Sequence, residues 1–92
     1  MAEIKKLKAM PYAQARVEIN DTDVYLFSYC TLVAKIEDNK LEVLGLYSQT
    51  TRKHIGAFVK EYAGGIPYQT AKQLYQDRKT IDILTGKVED IE

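Results

Sequence analysis

Cysteine, histidine and tryptophan are almost missing from this chain: one Cys30, one His54 and no Trp in 92 residues. A structural zinc site takes about four Cys or His ligands and a catalytic one about three. One of each therefore builds neither without borrowed carboxylates, and no metal or cofactor is expected. A lone Cys closes no internal disulfide, which fits a reducing cytoplasm. Cys30 reads as a small, partly buried apolar residue. Long hydrophobic stretches are also missing: runs such as Leu32-Val33-Ala34 fall far short of the ~20 residues that span a bilayer. Lys5, Lys6 and Lys8 lead into Pro11 rather than into an apolar segment, so no signal peptide is read. Walker loops, dinucleotide fingerprints and nucleophile elbows have no counterpart in the sequence. The chain is read as a non-enzyme.

Net charge is missing too, since 13 basic and 13 acidic side chains cancel. The cancellation conceals blocks of alternating sign. Residues 1–16 carry +3, residues 17–46 carry −4, residues 47–79 carry +4 and residues 80–92 carry −3. Such blocks predict a basic helical part and an acidic sheet part. What is present is enough apolar and aromatic material, including seven Tyr and two Phe, to close one small core. A chain of this size buries only about 60–65% of its unfolded surface, so homodimerisation would add stability.

The pattern predicts one α+β domain, with three or four antiparallel strands in a meander, one main helix against the sheet and a short second helix. Residues 1–11 read as a flexible arm. Residues 12–46 read as the sheet, because Ala13, Ala15, Val17 and Ile19 alternate with polar residues and Val24 to Tyr29 is β-branched and aromatic. A strand running from Val24 to Ile36 would span ~43 Å, so a turn or bulge is expected near Ser28 to Thr31. Over 49–63, Ile55, Phe58, Val59 and Tyr62 fall at helical spacing, and Gly64-Gly65 ends the helix. Thr70 and Gln73 have the spacing of a capping box for a helix over 70–79. Residues 80–92 read as a short strand or a tail.

The most distinctive segment is the entrance to the main helix, Tyr47, Ser48, Thr50, Thr51, Arg52, Lys53 and His54. One hydroxyl suffices as a cap, and three are present. With Arg52 and Lys53 reinforcing the positive end of the helix dipole, the cluster suits an anion or a protein partner. Seven tyrosines supply interface anchors of the kind that bury apolar area and keep a polar handle. Lys60, Lys72, Arg78 and Lys79 form an alternative face for nucleic acid, although a pI near 6.6 is far from that of most such domains.

The runs Ser28-Tyr29-Cys30-Thr31-Leu32-Val33-Ala34, Leu41 to Gly45 and Tyr47-Ser48-x-Thr50-Thr51-x-x-His54-Ile55-x-x-Phe58 resemble a family of small uncharacterised proteins. These are encoded by bacterial phages, prophages and mobile elements. The resemblance covers roughly residues 15–63, and Cys30 stands where a more polar residue is expected. It implies a bacterial host cytoplasm and a mobile-element origin and supplies no agreed activity. The missing catalytic constellation, the seven tyrosines and the segregated charge make a host or phage protein the expected partner. Inhibition of a host defence system, in the manner of an anti-CRISPR protein, is the sharpest form of that expectation.

Overall fold

The computed structural model describes residues 3–10, 14–46 and 48–91. It is α+β: seven strands form one antiparallel sheet in sequence order, and two helices are inserted between the fifth and sixth strands. Strand β1 is Glu3–Lys5, β2 Ala15–Asn20, β3 Asp23–Ser28, β4 Thr31–Glu37 and β5 Lys40–Val43; α1 is Gln49–Tyr62 and α2 Tyr68–Asp77; β6 is Lys79–Asp82 and β7 Val88–Asp90. Among the described residues no helix is long and apolar enough to cross a membrane.

The turns follow from residues that tolerate a left-handed backbone. Asp21 joins β2 to β3 at φ 57°, and Asp38 and Asn39 join β4 to β5 at φ 52° and 64°. Asp and Asn take that conformation at little cost because their side chains bond locally. The expected break near Ser28 takes two forms. Tyr29, at φ 59°, turns the chain between β3 and β4. A register shift then falls between the Leu26–Ala34 and Phe27–Leu32 pairs, which leaves Val33 as the extra residue of a bulge. Val33 and Ala34 are both buried as a result.

Ala15, Val17, Leu26, Ile36, Leu41 and Val43 point to one face of the sheet and are buried there. Helix α1 lies against β3 and β4, and α2 against β5 and β6. Ile55, Phe58 and Val59 supply the buried stripe of α1, and Ala71 and Leu74 that of α2. The opposite face carries polar ladders. Arg16 pairs with Glu18 at 2.9 Å and lies over the Phe27 ring at 4.3 Å. Lys35 bridges Glu37 at 2.9 Å and Glu42 at 3.9 Å, and Tyr25 donates to Glu37 at 2.7 Å. That hydrogen bond to a carboxylate pushes the Tyr25 phenol up to about 12 and, together with Lys35, holds Glu37 below the usual carboxylate range.

The sheet has more strands than the sequence pattern predicts, and the extra ones are short. Part of the expected arm is structured: Glu3–Lys5 pairs with β2, and Leu7 is fully buried. Three residues show no readable alternation, and the free edge of β2 supplies the order. The C-terminal segment forms the β6–β7 hairpin, in which Asp82 accepts from the N–H groups of Leu84 and Thr85 and Gly86 sits at φ 78°. Helix α2 starts at Tyr68, two residues before the expected Thr70, with Pro67 at its N-cap and no side-chain cap bond. Gln73 bonds Asp77 at 2.8 Å instead of closing a capping box. Lys79, expected to end this helix, begins β6.

Candidate functional site

The hydroxyl-rich entrance to α1 divides into a buried half and an exposed half. Ser48 is the N-cap, and its Oγ accepts from the Thr51 N–H at 3.1 Å. Ser48 Oγ also donates to Thr51 Oγ1 at 3.2 Å; Thr51 Oγ1 lies 3.2 Å from Ser28 Oγ, and Ser28 Oγ lies 2.8 Å from His54 Nδ1. One direction lets every hydroxyl donate once: Ser48 to Thr51, Thr51 to Ser28, and Ser28 to His54 Nδ1. The imidazole is then neutral with its proton on Nε2. Ser28, Thr51 and His54 are 2%, 4% and 0% exposed. Thr51 and His54 are therefore turned inward, where the reading of the entrance as a binding cluster expects exposed side chains. Helical spacing explains this, because positions 51, 54, 55 and 58 share the face that packs on the sheet.

Ser28 was not singled out from the sequence, although it is the centre of this chain of bonds. Its alternation with Leu26 along β3 was the available signal, since it places a hydroxyl on the inner face of the sheet. Ser28, Tyr29, Thr31, Ser48 and Thr51 border a shallow depression of about 290 Å³. The exposed Tyr29 ring lies 6.2 Å from the imidazole. Tyr47 lies outside the described residues. Replacing Ser48 with Ala is expected to cost about 0.5–2 kcal/mol in denaturant unfolding, the usual loss for a capping hydroxyl. Thr50→Ala, at an exposed position with no cap bond to lose, is expected to stay within about 0.5 kcal/mol.

His54 Nε2 and the Tyr68 hydroxyl are buried and have no hydrogen-bond partner among the described residues. Burial holds the imidazole below its ordinary range, because a charged ring would lose its hydration. The sign for stability follows from proton counts. Below about pH 6.5 the unfolded chain binds a proton that the folded chain refuses, so stability falls as pH drops through that window. The slope is at most about 1.4 kcal/mol per pH unit. Denaturation midpoints measured from pH 8 to pH 5 are expected to decline, and His54→Leu to flatten the decline. For Tyr68, a Phe replacement removes a donor that has no acceptor and is expected to be neutral or stabilising by about 1 kcal/mol.

The exposed half faces elsewhere. Gln49, Arg52, Lys53 and Gly56 recur at helical spacing along one side of α1, and Tyr68 and Lys72 lie one turn apart on α2. Together they line a groove of about 340 Å³ between the two helices. Its three cations make no salt bridge among the described residues, and no carboxylate is in the lining. Neither helix carries an acidic residue in its first turn. The positive helix ends therefore add to the side-chain charge rather than offset it.

The sequence assigned Lys72 to a separate face with Lys60, Arg78 and Lys79, and the structure redistributes these residues. Lys72 joins Arg52 and Lys53, whereas Lys60 is exposed one turn beyond Gly56 on α1. Lys79 is in β6, 3.7 Å from Asp90. Arg78 lines a different depression of about 540 Å³, beside Glu42, Leu44, Tyr75 and Ile91, where β5 and β6 separate after Leu41–Ile81. That depression is larger, but its lining mixes an acid, a base and apolar groups, whereas the interhelical groove is of one sign.

A family model matches residues 4–79, from β1 to the start of β6. The chain belongs to DUF8033, a family of unknown function. The matched span contains both helices, the groove between them and the whole Ser28–His54 network. Neither the curated proteins nor the solved structures provide a match.

Proposed function

We propose that this protein is a non-enzymatic binding module that grips an acidic protein segment in the groove between α1 and α2. The observation that carries this reading is the gathering of Arg52, Lys53 and Lys72 around one groove with no carboxylate in its lining. Three cations lining one groove offer an anionic partner complementary charge. The Ser28–His54 pair does not alter the reading: it is buried, and its hydrogen bond joins α1 to β3. In the phage and mobile-element setting that the sequence resemblance implies, the partner is a host or phage protein in the cytoplasm. Inhibition of a host defence system is one outcome such binding serves.

Protein is favoured over nucleic acid because the cationic region is short. On the polar face of the sheet Glu18, Glu37, Glu42 and Glu89 are paired with Arg16, Lys35 and Lys40, so that face offers a long polyanion no continuation of the cationic groove. Fluorescence anisotropy with labelled poly-L-glutamate and with a labelled single-stranded oligonucleotide tests the choice. Binding to polyglutamate that weakens steeply with added salt supports the proposal. Tighter binding to the oligonucleotide supports a nucleic-acid accessory role instead, and binding to neither removes the groove as a functional site.

A further inference from the structure

Gly56 sits in the interior of α1, where glycine destabilises a helix relative to alanine. Something should require it, and neither backbone nor packing does. Its φ is not in the left-handed region, and the atoms nearest an added Cβ belong to Tyr68, at 3.6 Å from its Cβ and 3.8 Å from its ring, which is ordinary van der Waals contact. The remaining consequence of the missing side chain lies in the groove. Gly56 and Tyr68 line it together with Arg52, Lys53 and Lys72, Gly56 lying about one turn beyond the two α1 cations.

We infer that the occupant is an acidic segment with one apolar side chain set between its acids, and that Gly56 leaves the space for that side chain. This rests on the proposed acidic-partner function and goes further by naming the chemistry of the groove wall at Gly56. The cationic side chains hold the carboxylates, and the gap over Gly56, walled by Tyr68, takes the aliphatic group out of water. Burying one leucine-sized side chain relative to glycine is expected to tighten binding about tenfold.

Two synthetic oligoglutamate peptides of equal charge, one with a central Leu and one with a central Gly, test this by titration calorimetry. The wild-type chain is expected to prefer the Leu peptide about tenfold, and Gly56→Met, which fills the gap, to lose that preference while still binding the Gly peptide. Gly56→Ala is expected to raise Tm, because helix propensity improves and nothing clashes. Equal binding of the two peptides by the wild type overturns the inference and leaves the acidic-partner reading intact. Failure of both peptides to bind removes both. A lower Tm for Gly56→Ala would mean that the fold itself demands the glycine, which overturns the inference independently of any ligand.

Discussion

Arg52→Glu combined with Lys72→Glu is expected to weaken binding to poly-L-glutamate by about 100-fold or more while leaving the protein folded and at least as stable. Each substitution removes an attraction and adds a repulsion, and a like-charge contact in an interface costs on the order of a few kcal/mol. Stability moves the other way. Arg52 is the fourth residue of α1 and makes no salt bridge among the described residues. A glutamate near a helix N-terminus gains about 0.3–1 kcal/mol from the dipole. Thermal melts and anisotropy titrations on the same samples check both halves. Loss of binding together with a preserved or raised Tm separates a functional groove from a structural one.

His54→Ala is expected to do the reverse and cost about 3 kcal/mol of stability. The ring is fully buried, so truncation leaves a cavity and takes away the partner of the Ser28 hydroxyl. A chain of this length has about 5–14 kcal/mol of total stability, so the loss is a large share of it. Ser28→Ala alone strands His54 Nδ1 and is expected to cost about 1–3 kcal/mol. Joining Ser28→Ala to His54→Leu removes both polar partners and restores packing, so the double variant should lose less than the sum of its single changes. Urea unfolding of the wild type, Ser28→Ala, His54→Leu and the double variant checks this. Binding to polyglutamate, measured where each variant is folded, should be unchanged throughout.

The two halves of the α1 entrance show what the sequence could and could not tell. The period of 3.6 over Ile55, Phe58, Val59 and Tyr62 was sufficient to place the helix and its buried stripe. Thr51 and His54 lie on the edge of that same stripe, but their polarity marked them as exposed. Burial was possible because β3 offered a hydroxyl in register, and no local pattern links Ser28 to a histidine 26 positions later. The turn at Ser28 to Thr31 was legible from strand length alone. Strand β1, of three residues, was not, and β7 was legible only as one of two alternatives, because their order comes from pairing with a neighbour rather than from their own alternation. The basic residues from 47 to 79 read as one helical block, which does not separate Lys72, beside Arg52 and Lys53 in the groove, from Arg78 and Lys79 outside it. Charge blocks along a chain give sign but not proximity, and the five-residue connection between the helices folds α2 back so that Lys72 and Tyr68 meet the start of α1.

Amide chemical shifts of the labelled protein during titration with the Leu-bearing oligoglutamate peptide test the account most directly. The largest shifts are expected at Arg52, Lys53, Gly56, Tyr68 and Lys72, with Ser28 and the outward-facing positions Tyr25 and Lys35 unmoved. Shifts centred instead on Ser28, Tyr29 and Thr31 would contradict the account, since they would make the buried hydroxyl–histidine network the working site and the basic groove incidental.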